Sequence, residues 1–132
     1  MSDLKITPIR GLAVSSQPEQ LRERTKAFAM RVIRLYRSLP YKTDTQVLGK
    51  QLLRCGTSVA ANYRAVCRAR SKAEFVARMG VVVEEADEAV LWLELMTESG
   101  IVPLEKTEAL LKEANELTAI FAASQRTARL SA

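Results

Sequence analysis

From Gln51 to Phe75 the chain reads QLLRCGTSVAANYRAVCRARSKAEF, and this stretch limits the fold more than any other. Leu48, Leu52, Cys55, Val59 and Val66 recur in steps of four and three, with one place skipped between the last two. That spacing stacks side chains on one side of an α-helix, so it predicts a long helix whose seam packs on partner helices. Asn62 falls at the skipped place, with Gln51 and Ser58 flanking it. A polar side chain inside a seam fixes register because its amide must find a partner. Gln51, Ser58 and Asn62 are therefore expected as structural polar positions of the core, with Asn62 bonding across to the third helix, at Glu85 or a main-chain carbonyl. Ser71-Lys-Ala-Glu74 follows, the pattern in which Ser71 and Glu74 each accept from the other's backbone N–H. So tight a break sends the next helix back antiparallel.

The rest of the chain carries the same periodicity. A first helix, about residues 17–39, is expected to start after Ser16 with Pro18 in its first turn and to stop at Pro40. Leu21, Phe28, Val32, Leu35 and Leu39 form its apolar stripe. Its remaining surface is nearly all cationic: Arg22, Arg24, Lys26, Arg31, Arg34 and Arg37. The second helix is expected over about 44–69, with Gly49 and Gly56 inside it. Each glycine costs up to about 1 kcal/mol against alanine, which close approach of a neighbouring helix would offset. A third, about 72–99, has its seam at Phe75, Met79, Val82, Ala86, Ala89, Leu93 and Met96 and stops at Gly100. A fourth, about 103–129, opens at Pro103 and has its seam at Leu110, Ala114, Leu117, Phe121 and Ala128. The expected fold is all-α, an antiparallel four-helix bundle spanning 16–132, preceded by an irregular N-terminal arm over 1–15.

The third helix carries more apolar residues than one seam uses. Val81, Leu91, Trp92 and Leu95 point away from the seam and alternate with Glu84, Glu85 and Glu88. A lone four-helix bundle cannot hide both faces, so Val81, Glu84, Glu88, Leu91, Trp92 and Leu95 are the expected contacts between copies of the chain.

Charge is distributed unevenly. Residues 1–70 hold fourteen Lys or Arg against four Asp or Glu, and residues 71–132 hold six against eleven. The basic half can pair with the acidic half within one bundle, pair between subunits, or meet a polyanion. Arg64, Arg68 and Arg70 crowd the end of the second helix, where the exposed carbonyls favour cations. Arg54 and Arg64 are placed to reach the acidic third helix or a ligand.

Composition closes off most catalytic chemistry. Histidine is absent, which removes the usual general base and the commonest transition-metal ligand. Glu84, Glu85, Asp87 and Glu88 suggest a di-metal carboxylate bundle, but those sites also draw on histidine. No glycine-rich phosphate loop or nucleophile elbow occurs. Cys55 and Cys67 sit on one helix, about 18 Å apart at its rise, too far for a disulfide. Reduced thiols, no secretory signal and no apolar run of about 18–20 residues point to a cytoplasmic protein. Neither a metal nor any other cofactor is expected, nor a small-molecule substrate.

The segment QLLRCGTSVAANYR, through Gln51, Arg54, Ser58, Val59 and Asn62, resembles the signature of the 23S ribosomal-RNA intervening-sequence protein family of bacteria. EEADEAVLWLEL from Glu84 is similar too, and the likeness runs from Leu21 to Ala128. The resemblance implies a left-handed up-down-up-down bundle assembled as a homopentamer. It also implies kinship with the accessory protein of diversity-generating retroelements, which works with a reverse transcriptase and nucleic acid. Many members follow the asparagine with an apolar residue and Ala-Glu-Gly, whereas here Asn62 leads into Tyr63, Arg64 and Ala65.

The functional expectation is a non-catalytic, oligomeric binding protein. Its basic surface, Arg22, Arg24, Lys26, Arg31, Arg34, Arg37, Arg64 and Arg68, would engage RNA, DNA or a ribonucleoprotein through phosphates without reading sequence. The alternative is a protein-only scaffold whose charges serve contacts between subunits.

Overall fold

A computed structural model describes residues 17–131; the expected arm over 1–15 lies outside the described residues. Four helices follow one another: α1 (Gln17–Arg37), α2 (Thr43–Cys67), α3 (Lys72–Glu98) and α4 (Leu104–Leu130). Each packs closely on the helix next in sequence, and α4 closes the ring against α1 much less closely. Register gives their directions. Tyr36 bonds Gln46 while Val32, one turn earlier, faces Gly56, so α1 and α2 run opposite ways. Thr97 pairs with Thr107 while Gln125 reaches back to the Val76 carbonyl, so α3 and α4 do too. The chain is an all-α up-down-up-down bundle.

Local chemistry sets the ends. α1 stops at Arg37, two residues short of the expected end, because its last turn tightens before Pro40. Ser38 N–H is shared by the Arg34 and Leu35 carbonyls, Leu39 N–H bonds Tyr36 O, and Ser38 Oγ donates to Leu35 O. α2 likewise ends at Cys67, where the N–H groups of Arg68 and Ala69 bond the Ala65 and Val66 carbonyls three residues back. Ser71 caps α3 by accepting from Glu74 N–H at 3.0 Å. The return bond differs from the expected box: Glu74 accepts from Arg70 N–H, not from Ser71. Gly100, at φ +82°, turns the chain out of α3 in a conformation that side-chain-bearing residues rarely adopt.

The seams of α1, α3 and α4 are buried as expected, from Leu21 through Met96 to Ala128. On α2 the seam differs at one place. Val59 is followed in the core by Tyr63, fully buried, and not by Asn62. The Tyr63 ring meets Phe121 of α4 with centroids 5.1 Å apart. Asn62 is half-buried and donates to Ser58 O of its own helix at 2.9 Å, so the bond across to α3 is not made. Gln51 and Ser58 are half-buried as well, which places all three polar residues beside the core and not in it. Leu48 is half-buried and packs against the core from its edge.

Gly49 and Gly56 let α1 come close. A Cβ on Gly56 would lie 2.8 Å from Val32, and one on Gly49 would lie 2.7 Å from Leu39. The backbones of α1 and α2 are thus locked together, while the seam between α1 and α4 stays comparatively open. Among the described residues no helix is long and apolar enough to cross a membrane.

Candidate nucleic-acid interface

The fold separates the eight cations expected to form one surface. Arg24 projects towards α4, where its Nε and Nη2 bond the two oxygens of Glu113 at 3.1 and 2.6 Å, with Glu116 at 3.3 Å. The Glu113 hydrogen bonds hold its guanidinium even more firmly protonated than usual, against the cost of partial burial. Arg24 therefore ties α1 to α4 and is not available to a polyanion.

The other seven make no ion pair with a carboxylate among the described residues. Lys26 and Arg37 are exposed on the outside of α1. Arg31 and Arg34 flank the open α1–α4 seam, where Lys106 joins them over a floor of Leu35, Ala109 and Leu110. Arg22, one turn inside α1, meets Arg64 and Arg68 of α2 around a separate depression that also includes Glu23 and Cys67. A basic front thus extends along α1 and round onto the end of α2. Lys106 was missed in the sequence because it belongs to the acidic half of the chain.

The opposite flank, between α2 and α3, is electrically satisfied. Arg54 pairs with Glu85 at 3.2 Å and with Glu88, and its Nε and Nη2 also reach Gln51 Oε1. The buried Cys55 thiol donates to Glu88 Oε2 at 2.8 Å, and Trp92 Nε1 donates to the same oxygen at 3.1 Å. Burial first, and the neighbouring carboxylate second, push the Cys55 thiol up to about 12. The hydrogen bonds from Cys55 and Trp92, with Arg54 adding to them, hold Glu88 below the ordinary carboxylate range. Cys55, Glu85 and Glu88 bring their ligand-capable atoms within 4.8 Å of one another. With the thiol held protonated and Arg54 seated on both carboxylates, the group is an ion-pair network, poorly suited to a cation.

Beside this network the outer face of α3 is apolar. Val81, Leu91 and Leu95 are 41, 46 and 40 % exposed, and Glu84 lies among them. Trp92 sits closer in than the others, half-buried against the core with its ring N–H held by Glu88. Its place was hidden in sequence by the apolar residues on both sides.

The profile of the 23S rRNA-intervening sequence protein family matches residues 19–123. The chain belongs to that family. Its Gln51–Asn62 segment supplies Gln51, Arg54 and Cys55 to the α2–α3 network. A crystal structure of a protein of unknown function from the S23 ribosomal protein family of Bacteroides thetaiotaomicron VPI-5482 is similar, with a TM-score of 0.76 and 28% identity. The match covers 83% of this chain and 97% of that one, so it takes in most of the bundle. No curated protein matches the chain.

Proposed function

We propose that this family member is a non-catalytic binding protein that self-associates through the outer face of α3 and holds nucleic acid, RNA foremost, on the basic front of α1 and the end of α2. One observation carries the reading: Arg22, Lys26, Arg31, Arg34, Arg37, Arg64 and Arg68 have no carboxylate partner among the described residues, in a protein that pairs Arg24, Arg54 and Arg78 with acids. Unpaired like charges along one front repel one another, and a polyanion relieves that repulsion while releasing its own counterions. Among the described residues Tyr41, just past the end of α1, is the one large aromatic left exposed, and a single ring favours contact with phosphates over serial stacking with bases.

The exposed Val81, Leu91 and Leu95 support assembly, and with it a second reading: a scaffold that binds only protein. Titrating RNA and duplex DNA against the protein at increasing salt separates the two. The first reading expects binding that weakens linearly on a log–log plot against salt. Absence of binding even at low salt would leave the scaffold. The subunit number, expected as five, is measured by light scattering on the same sample.

A further inference from the structure

We infer that the depression bounded by Arg22, Arg64 and Arg68 is a discrete site for one phosphate group. The chemistry is that of a phosphate oxyanion; an RNA strand is the physiological source only if the nucleic-acid reading above holds, and a free phosphorylated small molecule is the other source.

Three arginines from two helices converge on it. Arg64, in the last turn of α2, and Arg68, its C-cap, are four residues apart and line the same depression, a spacing at which like charges repel. The carbonyls at the end of α2 offset this for Arg64, in the last turn, and for Arg68, the C-cap. They do nothing for Arg22, which projects from the second turn of α1, beyond the reach of that helix's own ends. Local helix chemistry thus accounts for Arg64 and Arg68 but not for the approach of Arg22 to them. Glu23 is the one carboxylate lining the depression, and among the described residues it forms no ion pair with any of the three. Planar guanidiniums that approach from different directions can donate to separate oxygens of a phosphate, which a single lysine cannot match. The depression, about 370 Å³, has room for a phosphate group with its attached sugar.

Behind its wall lies an unused donor. Tyr63 is fully buried, and its hydroxyl finds no hydrogen-bond partner. The Cys67 thiol is that hydroxyl's polar neighbour, outside ordinary hydrogen-bond geometry yet near enough to help hold the phenol protonated, and Cys67 also lines the depression. Burial above all, and Cys67 after it, hold the phenol protonated, so this end of the core presents a donor with no oxygen acceptor and only a thiol beside it. Anionic oxygens entering between the arginines would bring acceptors to a place where Glu23 is the one carboxylate beside three guanidiniums.

The test uses the full-length protein, labelled for NMR, with arginine Nε–Hε resonances followed during titration with inorganic phosphate and, separately, with a short 5′-phosphorylated RNA. Arg22, Arg64 and Arg68 should move together and saturate with one dissociation constant for each ligand. An Arg64→Gln/Arg68→Gln double variant, altered only at exposed positions, should bind each ligand about tenfold or more weakly while melting as the parent does. Shifts spread evenly over all exposed arginines, including Arg126 and Arg129, with no saturation, would overturn the site. So would unchanged affinity for phosphate in the double variant. RNA binding that survives the double variant but is lost in Arg34→Gln/Arg37→Gln would overturn the site as part of the RNA surface and leave the nucleic-acid reading intact. Saturable phosphate binding in a protein that ignores RNA at every salt would support the site and remove that reading.

Discussion

Arg24 and Arg22 stand two residues apart on one helix and meet opposite fates. Arg24 faces α4 and is bonded to both oxygens of Glu113; Arg22 faces the end of α2 and finds Arg64 and Arg68. The same division holds for the whole molecule. Between α2 and α3 the charges are consumed in holding helices together, with Arg54, Glu85, Glu88, Cys55 and Trp92 in one network. Along α1 they are left over. An arginine therefore does not declare its role by type or by the net charge around it. The register between helices decides which cations meet an acid and which stay free for a partner.

The largest test of this division removes the leftover charge. Changing Lys26, Arg31, Arg34 and Arg37 together to glutamine should weaken RNA binding on the order of 100-fold near physiological salt and flatten the salt dependence by about three in slope. Thermal stability should hold steady or rise, since like charges are being removed. A melting temperature that falls sharply would show that these cations do structural work and would erase the contrast with Arg54.

The reciprocal change belongs on the other flank. Glu88→Ala deprives a buried thiol, an indole N–H and Arg54 of a shared acceptor, and should cost about 1–3 kcal/mol of stability by chemical denaturation. RNA affinity should not change. A Glu88→Ala protein as stable as the parent would mean the α2–α3 network is ornamental.

Glycine sharpens the comparison between the closed and open seams of α1. Gly56→Ala puts a methyl 2.8 Å from the branched Val32 side chain, so α1 and α2 must part, at about 1–2 kcal/mol after the gain in helix propensity. Gly80→Ala meets only the tip of Gln125, whose displacement gives up its bond to Val76 O but is offset by helix propensity, so the net cost should stay below about 1 kcal/mol. Equal effects at the two sites would show that α1 is not locked to α2.

Titration gives a finer probe. Glu88 is held below its ordinary value in the folded protein, so its contribution is present above the unfolded carboxylate range, about 4.3, and fades as pH falls through and below it. Glu88→Gln cannot titrate. The stability difference between parent and variant should therefore shrink between about pH 6 and pH 3, as followed by urea midpoints. A difference that widens on acidification would reverse the assignment.

These contrasts also mark what the sequence could tell. Apolar seams and caps were legible because they depend on one helix at a time. Phe75 to Met96 needs only the periodicity of its own residues, and Ser71 with Glu74 is a local contact. The step after Val59 was not legible: three residues on stands Asn62 and four on stands Tyr63, and both continue a helical seam. The direction of α4, which offers Phe121 to the tyrosine ring, decides between them. The split between Arg22 and Arg24 was hidden for the same reason, since Glu113 is 89 residues away in the chain. The bond from Cys55 to Glu88 left a faint trace, because Glu85, Glu88 and Trp92 recur at helical spacing opposite Arg54.

The smallest effect concerns Tyr63, where the satisfied and unsatisfied parts of the molecule meet inside the core. Its ring packs on Phe121, but its hydroxyl has no well-formed hydrogen bond, only the Cys67 thiol beside it. Removing a buried hydroxyl that is well bonded costs roughly 0.5–1.5 kcal/mol; removing an unbonded one restores nothing lost and spares a desolvation penalty. Tyr63→Phe should thus be neutral or stabilising by up to about 1 kcal/mol in phosphate-free buffer. Phe121→Ala, which takes away the ring the tyrosine leans on, should cost about 3–5 kcal/mol and calibrates the measurement. If Tyr63→Phe instead destabilised the protein by more than about 1 kcal/mol, the phenol would be holding an acceptor after all. The end of the core beneath Arg22, Arg64 and Arg68 would then be as fully paired as the α2–α3 flank, and the contrast between the two sides of the bundle would stop at its surface.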